Sequence, residues 1–444
     1  MICIYIFKII NDYVEYTFLL ILIKKMAEYL AELGVGTKKL PDKYDLVKSS
    51  NFGYDDQIAI EAAQVEGIDS FCRPNEDLSS GGPFTFIIEP TGAENYLQMN
   101  TMYLYAKCQI TLPDGSDLTS EHDVSCVNGL GLSFFSNIEI RLDDTSLYGS
   151  TATNMHYKNI LETLLSYDAS ARTTHLKSTI FELDEAGKVN TMGEENDGYK
   201  KRRDRVANTT YKDFDFTTPI SGDFLRSDNH LSSGTRLTIT LTKASDSFLL
   251  LSPRKIDIVK PAEGTGASAT PATTKRIDSP PYKIKIKDMK LYFNRIKITP
   301  DAHAALIKHK PMYMNTKTVM KTYPLAKGLT SYSFNIQNQG KLPKTLIFAQ
   351  VESISYSGDY HSNPYDFQHF NINKLNLRVN GKSIPSDGLH PNFSAGLVSR
   401  EFQYLFLNSG AYRIDRGNCI NYEKFKKGYT IFPFTTAPDA CNGK

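Results

Sequence analysis

The segment Leu342–Pro385, LPKTLIFAQVESISYSGDYHSNPYDFQHFNINKLNLRVNGKSIP, contains the strand and turn signals that decide the fold. Its early part, Thr345–Ser353, is rich in β-branched and aromatic residues, which favour strands. Its late part, 375–379, has apolar residues at alternate positions and ends in Asn380-Gly381. Asn-Gly is the preferred pair for a type I′ turn, because both central residues of that turn need a positive φ. The segment therefore predicts two strands joined by a loop, with a hairpin at Asn380-Gly381.

Between these two strands the alternation changes phase. Phe370 and Ile372 alternate with polar residues, but Leu375 and the residues after it continue in the opposite phase. Since successive side chains of a strand point to opposite faces, one extra residue restores a common face. The sequence therefore predicts a β-bulge near Asn373-Lys374.

An earlier segment has the same order of elements. Phe134–Leu142 contains Ile-Glu-Ile-Arg-Leu, which aligns with Leu-Asn-Leu-Arg-Val at an offset of 375 minus 138, or 237 residues. Apolar residues at helical spacing follow both runs, beginning at Tyr157 and at Val398. This pattern indicates two copies of one β-rich unit. The alternative is a pair of unrelated hairpin-plus-helix segments, because the two copies share few identical residues.

The chain length leaves room for two or three domains. We interpret residues 1–80 as an N-terminal extension and arm, 81–299 as the first β unit and 300–444 as the second. Residues 252–280, rich in Pro, Gly, Ala and Thr, are interpreted as a low-complexity loop inserted into the first unit. Strand signals lie at 83–88, 99–111, 211–217, 235–242, 247–251, 282–298, 316–323, 330–336 and 428–434.

The first residues of the chain have no clear role in this scheme. Residues 1–25 contain an apolar run but are too short and too charged for a membrane span. Met26 is an alternative start of the chain. The other interpretation of residues 1–25 is a membrane anchor or a targeting segment.

The composition is that of an ordinary globular protein. Of the 444 residues, 41% are hydrophobic and 23% are charged, and the formal net charge is +2. A near-neutral balance argues against a protein whose main work is to neutralise nucleic-acid phosphates, so contact with double-stranded DNA is expected to be weak and local. The six cysteines are scattered and form no Cys-x-x-Cys pair, which favours reduced thiols over a zinc site or a disulfide framework.

No group of residues has the spacing of a known catalytic site. The sequence has no Gly-x-Ser-x-Gly elbow and no phosphate-binding loop. The best candidate cluster is His361 and His369 with Asp359 and Asp366, but two metal ligands on one strand would need His-x-His spacing, and we interpret these residues as polar loop residues. We expect no enzyme activity, cofactor or metal. Two carboxylates brought together only by folding would still allow a glycoside hydrolase.

Residues 186–207 form a polar stretch that contains a basic run, Lys200, Lys201, Arg202, Arg203 and Arg205. Such a run can act as a nuclear-localisation signal or contact phosphate. The alternative is the solvated tip of a loop. In either case we expect an exposed loop without buried partner charges.

Three segments carry a resemblance to a known family. They are PFTFIIEPTGAENYLQMNTMYLYAKCQITLPDG (83–115), FFSNIEIRLDDTSLYGSTATNMHYKNILETLL (134–165) and the segment 342–385. In this order they resemble the double jelly-roll major capsid protein of Polinton (Maverick) elements and the related adintoviruses, whose sequences often lie endogenised in animal genomes. The match runs from about Pro83 to Phe434.

The resemblance implies an all-β fold of two tandem jelly-roll β-sandwiches with short helices in the loops. It also implies homotrimeric, pseudo-hexameric capsomers that contact neighbouring capsomers and a penton protein in an icosahedral shell around double-stranded DNA. The expected location is the virion capsid, with assembly in the nucleus or cytoplasm of the host cell and no contact with a membrane. The alternative function is a jelly-roll carbohydrate-binding or carbohydrate-active module.

The chain departs from the family pattern at both ends. The leader before Met26 is not part of the pattern, and the chain stops at Lys444, where relatives continue through the closing strands of the second jelly roll. We therefore interpret it as an endogenised, C-terminally truncated copy. The second unit should have open edges, and core residues of Thr345–Ser353 and Tyr429–Phe434 should be partly exposed.

Overall fold

The computed structural model describes residues 2–10, 63–148, 154–260, 273–277, 280–308, 313, 316–336 and 342–436. The described part of the chain is mostly β-sheet with short helices. The strands are β1 Ile2–Ile10, β2 Gln64–Cys72, β3 Phe84–Ile88, β4 Asn95–Thr111, β5 Ser125–Cys126, β6 Phe135–Leu142, β7 Thr145–Tyr148, β8 Asp213–Pro219, β9 Leu237–Lys243, β10 Leu250–Leu251, β11 Lys255–Lys260, β12 Thr273–Ile277, β13 Lys283–Ile298, β14 Thr316–Pro324, β15 Thr345–Val351, β16 Leu375–Val379, β17 Lys382–Leu389 and β18 Ile431–Thr435. The α-helices are Leu130–Ser133, Met155–Ser166, Ala169–Thr173, Asp197–Val206, Asp246–Leu249, Pro300–Lys308, Ser353–Ser357, Ser399–Ser409 and Tyr422–Lys426.

The first unit consists of two antiparallel four-stranded sheets, which share one buried core. Their strand orders are β2-β13-β4-β8 and β3-β9-β6-β7. If the eight strands of these sheets are numbered one to eight along the chain, the orders become 1-8-3-6 and 2-7-4-5. This is the strand order of a jelly roll, in which the last strand lies between the first and the third.

The long strand β13 shows how the sequence pattern places the core of this unit. Ile284 and Ile286 are buried, and Met289 and Leu291 are buried in the opposite phase. The pairing of β13 with β4 shifts register between Ile286 and Asp288, so a bulge turns both runs toward the same core.

The second unit repeats part of this arrangement. Its four-stranded sheet has the order β14-β1-β15-β18, and β16 pairs with β17 as a separate hairpin. If β14 is matched to the first strand of the first unit and β15, β16, β17 and β18 to its third, fourth, fifth and sixth strands, the third and sixth strands are again neighbours and the fourth and fifth again form a hairpin. The protein is therefore an all-β chain of two tandem jelly-roll units, and the described part of the second unit has fewer strands than the first.

The β16–β17 hairpin turns at Asn380-Gly381, where the sequence places it. Val379 pairs with Lys382, and φ is 50° at Asn380 and 79° at Gly381. The bulge predicted near Asn373-Lys374 is wrong. Phe370 and Asn371 have positive φ, and residues 371–374 lie outside the strand, so the register shift falls between Leu375 and Leu377 instead.

The interpretation of residues 1–80 as an extension and arm is wrong in two places. Ile2–Ile10 forms β1, which pairs with both β14 and β15 in the second unit. Gln64–Cys72 forms β2, the edge strand that pairs with β13 in the first unit. Phe18–Ile23 and the alternative start Met26 lie outside the described residues.

Three smaller predictions are also corrected. Residues 247–251, predicted as a strand, lie mostly in the helix Asp246–Leu249, followed by the two-residue strand β10. Residues 330–336 form no strand. The insert 252–280 contains the paired strands β11 and β12 at its ends, and residues 261–272 lie outside the described part of the chain.

The core of the second unit is covered, although its sheet has an open edge. Among the described strands β18 pairs on one side only, but so do β2 and β8 at the edges of the corresponding sheet in the first unit, so this edge does not test the expected loss of closing strands. The expected exposure of Thr345–Ser353 and Tyr429–Phe434 is wrong, because the apolar side chains of β15 and β18 are buried. The helix Ser399–Ser409 and its neighbour provide the cover: the ring of Tyr404 lies 5.8 Å from Phe434, and that of Phe425 lies 5.8 Å from Phe432.

The turn geometry leads to a prediction for Gly381. A Cβ added there meets no atom within 4 Å, so Gly381→Ala tests backbone strain alone. Because φ is 79°, an L-residue at this position costs about 1 kcal/mol. We expect faster hydrogen exchange of the Val379 and Lys382 amides in the variant.

Gly67→Ala is the matched control, since Gly67 also has free space around its Cβ position but lies in a strand without positive φ. It should leave exchange in the hairpin unchanged. Equal exchange in Gly381→Ala and the wild-type chain would contradict the prediction.

Candidate functional site: the interface between the two jelly rolls

The basic run lies in a helix and not in an exposed loop. Asn196 caps the helix Asp197–Val206, and its side-chain oxygen accepts hydrogen bonds from the amides of Gly198 and Tyr199 at 3.2 and 3.5 Å. Gly198 lies so close to the preceding loop that a Cβ would come within 2.6 Å of the Leu183 carbonyl oxygen. The helix therefore packs tightly against residues 183–184, and the prediction of a loop is wrong.

The five basic side chains of this helix have different environments. Lys201 and Arg205 are exposed, Lys200 and Arg203 are partly buried, and Arg202 is fully buried. Lys200 and Arg203 both pair with Glu194, at 3.0 and 2.7 Å. The structure therefore does not present the run as one exposed basic surface. The localisation or phosphate-contact role would have to depend on Lys201 and Arg205.

Arg202 donates three hydrogen bonds, one from each nitrogen of its guanidinium. Its Nε donates to the Cys126 carbonyl oxygen at 2.8 Å, Nη1 donates to the Glu182 carbonyl oxygen, and Nη2 donates to Asp184 Oδ1 at 2.8 Å. Arg202 and Asp184 are 0% and 1% exposed. Burial is the largest single effect and acts to lower the pKa of Arg202, but the charge and hydrogen bond of Asp184, with smaller effects of Cys126 and Tyr429, together raise the pKa overall. The guanidinium therefore stays charged and fixes the loop that holds Asp184.

Asp184 joins the two units of the chain. Its Oδ1 also accepts from Asn196 at 2.9 Å, and its Oδ2 accepts from Asn363 of the second unit at 3.3 Å. Asn363 is fully buried, and its Nδ2 also donates to the Val189 carbonyl oxygen at 3.0 Å. The Asp184 amide donates to the hydroxyl of Tyr429 at 3.1 Å. Two elements of the second unit thus contact one loop of the first.

A second carboxylate, Asp366, extends this contact. Its Oδ2 accepts from Asn190 of the first unit at 2.9 Å and from Gln368 at 2.6 Å. The pKa of Asp366 is raised to about 6, mainly by burial and to a smaller extent by the charges of Glu352 and Asp184, while the hydrogen bond from Gln368 acts to lower it. This carboxyl group therefore changes charge near neutral pH while it lies between the two units.

Aromatic side chains fill the adjoining part of the interface. Tyr157 of the first unit stacks on Tyr356 at 5.7 Å and meets Tyr365 edge-on at 5.6 Å. Phe248 meets the same Tyr365 at 5.9 Å, and the Tyr365 hydroxyl hydrogen-bonds to Ser133 Oγ at 2.7 Å. Such pairs contribute beyond the area they bury. One continuous buried cluster therefore runs through both units and holds them in a fixed relation.

The candidate cluster of two histidines and two aspartates does not converge on one point. His361 Nδ1 lies 2.8 Å from the Ser252 carbonyl oxygen, whereas the His369 ring stacks on Phe393 at 4.1 Å. Asp366 points into the interface described above. In the described part of the chain no group of three or more His, Cys, Asp or Glu is placed to hold a metal ion. No described helix has the length and apolar character needed to cross a membrane.

Sequence reasoning did not find the residues of this interface. Asp184 and Asn363 are single polar residues without a motif, and Asn363 precedes a proline, which favours the interpretation as a turn. In the sequence Arg202 is one member of a charge run. Its spacing nevertheless indicates burial, since Arg202 lies three residues after Tyr199 and four before Val206, on the face that the helix buries.

Comparisons with known proteins give distant similarities. No family model matches the chain. An uncharacterized protein of Caenorhabditis elegans is 21% identical over an alignment of 374 residues, which covers 81% of this chain and 81% of that protein. A chain in a cryo-EM structure of the Sputnik virophage is similar with a TM-score of 0.37 and 9% identity, over 57% of this chain and 52% of that chain. The major capsid protein of Faustovirus is similar with a TM-score of 0.33 and 13% identity, over 66% and 64%. This chain thus matches less than two thirds of either viral chain.

The buried ion pair leads to a prediction for Arg202. Arg202→Met keeps the apolar stem but leaves Asp184 as an uncompensated buried charge, which costs about 3–5 kcal/mol. We expect a lower unfolding free energy by that amount in urea titrations. Lys201→Met, one position earlier and exposed, should change it by less than about 0.5 kcal/mol.

The double variant Arg202→Met with Asp184→Asn separates charge from shape. It should recover part of the loss, because no buried charge is left without a partner. Equal stability of Arg202→Met and Lys201→Met would contradict the role assigned to the ion pair.

Asp366 leads to a prediction about pH. Because its folded-state pKa is raised, its protonation stabilises the fold fully below about pH 4, and this stabilisation is lost as the pH rises through about 6. Asp366→Asn removes this dependence. Its unfolding free energy relative to the wild-type chain should therefore be higher at pH 7 than at pH 4, by ~2–3 kcal/mol.

Asp387→Asn, which removes an exposed carboxylate, provides the control. Urea titrations of the three proteins at pH 4, 5, 6 and 7 measure the difference. The same pH profile for Asp366→Asn and for the wild-type chain would rule out this role of Asp366.

Proposed function

We propose that this chain is a viral structural protein, the major capsid protein of an icosahedral double-stranded DNA virus shell. In this role three copies form a pseudo-hexameric capsomer, which contacts neighbouring capsomers and a penton protein. The chain works without a cofactor and without catalysis, in the virion and, during assembly, in the nucleus or cytoplasm of the host cell. We further propose that it derives from a Polinton or adintovirus-like element and is an endogenised copy.

The observation that carries this proposal is the duplicated jelly-roll unit with a buried interface. The strand order of the first unit is that of a jelly roll, and in the second unit β14, β15 and β18 have the corresponding places, with β1 between β14 and β15. If the two jelly rolls of a chain keep a fixed relative orientation, three associated chains present six similar units. This is the geometry of a pseudo-hexagonal tile. The resemblance of segments 83–115, 134–165 and 342–385 to the family supports the same function.

The polar interface supports this role in a second way. A tile needs its two units at a constant angle, and the Arg202–Asp184–Asn363 network together with the stacked tyrosines provides that constraint. The charge distribution supports only weak contact with double-stranded DNA, since the basic helix has one of its five cations fully buried and two more paired with Glu194.

The oligomeric mass tests the proposal. We expect native mass spectrometry of the purified chain to give about 150 kDa, three times 49.9 kDa. Arg202→Met should lower the yield of trimer because the two units no longer keep one relation, whereas Lys201→Met should not. A strictly monomeric chain at all concentrations, with intact secondary structure, would contradict the capsid function.

One observation favours the alternative, a carbohydrate-binding module. A cavity of about 450 Å³ lies beside the helix Met155–Ser166 and is lined by polar and aromatic residues that include Tyr103, Tyr167 and Arg226. Asn159, which also lines it, is buried with a side-chain oxygen that finds no hydrogen-bond partner in the described part of the chain. Binding of the wild-type chain to a glycan array, lost in Asn159→Leu but kept in the control Asn75→Leu, would support this function, since Asn75 is exposed and does not line the cavity. No binding would exclude it.

A further inference from the structure

The two units differ in the origin of one strand. In the first unit the position between the first and third strands, β2 and β4, is occupied by the eighth strand, β13. In the second unit the corresponding position lies between β14 and β15, and it is occupied by β1 from the beginning of the chain. Corresponding places in the two sheets are thus occupied by a strand that follows its neighbours in the sequence, β13, and by a strand that precedes them, β1.

β1 is antiparallel to both of the strands beside it. It runs antiparallel to β14, with Ile2 opposite Pro324 and Ile10 opposite Thr316. It also runs antiparallel to β15, with Ile2 opposite Val351. In the first unit β13 is likewise antiparallel to both of its neighbours. The strand from the beginning of the chain therefore has the orientation that the last strand of a jelly roll has.

The sequence of β1 suits a central strand. Residues 2–10 read ICIYIFKII, in which Lys8 is the one charged residue and the others are apolar or aromatic. Such runs are typical of strands covered on both faces, whereas an edge strand alternates or carries several charges. Without β1, the facing edges of β14 and β15 would each have a row of unpaired backbone groups, which costs free energy in a buried sheet.

We propose that the space between β14 and β15 is a strand-acceptor site, and that Ile2–Ile10 is the strand donor which fills it, at the place that β13 has in the first unit. The partner that the site accepts is an extended, apolar peptide of about nine residues, antiparallel to both neighbours and held by backbone hydrogen bonds. This inference depends on the strand order alone and is independent of the capsid function.

A binding experiment with a shortened chain tests the site. The chain that begins at Met26 lacks β1 and should bind a fluorescent synthetic peptide of residues 2–10, carrying a lysine tail for solubility, as measured by fluorescence anisotropy. The same peptide with Ile6→Pro should bind at least about tenfold more weakly, because proline removes a ladder hydrogen bond. The full chain, whose site is filled, should bind the peptide weakly. A folded Met26 chain that binds neither peptide would overturn the proposal.

Hydrogen exchange of the full chain gives an independent test that does not require the shortened chain to fold. Ile6→Pro in the full chain should expose the amides of β14 and β15 to exchange and leave those of β4 and β13 protected. Lys8→Thr, which keeps strand propensity, is the matched control and should preserve protection in both sheets. Unchanged protection of β15 in Ile6→Pro would show that β1 is not the strand that completes the sheet.

Discussion

The buried ion pair between Arg202 and Asp184 is the constraint on which the relation of the two units depends. A charge in the interior is tolerated only if it is paired and if its remaining hydrogen bonds are satisfied. Here each nitrogen of the guanidinium donates a hydrogen bond within the first unit, and the second oxygen of the carboxylate accepts one from Asn363 of the second unit. Any relative shift of the units would leave one of these groups unpaired, so the interface has one well-defined geometry.

The aromatic and polar parts of the interface contribute differently. The stacked rings around Tyr157 bury area and supply attraction, which tolerates small changes of angle. The hydrogen bonds of Asp184, Asn363 and Asp366 are directional, so they do not tolerate such changes of angle between the two units. Stability therefore comes mainly from the rings, and specificity from the polar network.

Local patterns predicted much of the fold. The alternation in Lys283–Ile298, the helical spacing in Met155–Ser166 and the Asn380-Gly381 turn are short-range signals, and each indicated its element correctly. The signals failed where a distant contact decides. Residues 330–336 alternate like a strand but form none, and the sequence does not predict the burial of Arg202, because its buried partner Asp184 lies outside the polar stretch 186–207. Ile2–Ile10 has strand composition, yet nothing near it in the chain indicates a partner.

The position of β1 also bears on the order in which the protein folds during synthesis. Its partners Pro324 and Val351 follow Ile2 by more than 300 residues. The first jelly roll contains all of its own strands, so it can form on the ribosome before β14 and β15, the partners of β1, have been synthesised. Pairings of such high sequence separation form slowly. Until then the apolar residues of β1 are unpaired and exposed to other nascent chains. Correct folding of the second unit should therefore depend more on chaperones than that of the first.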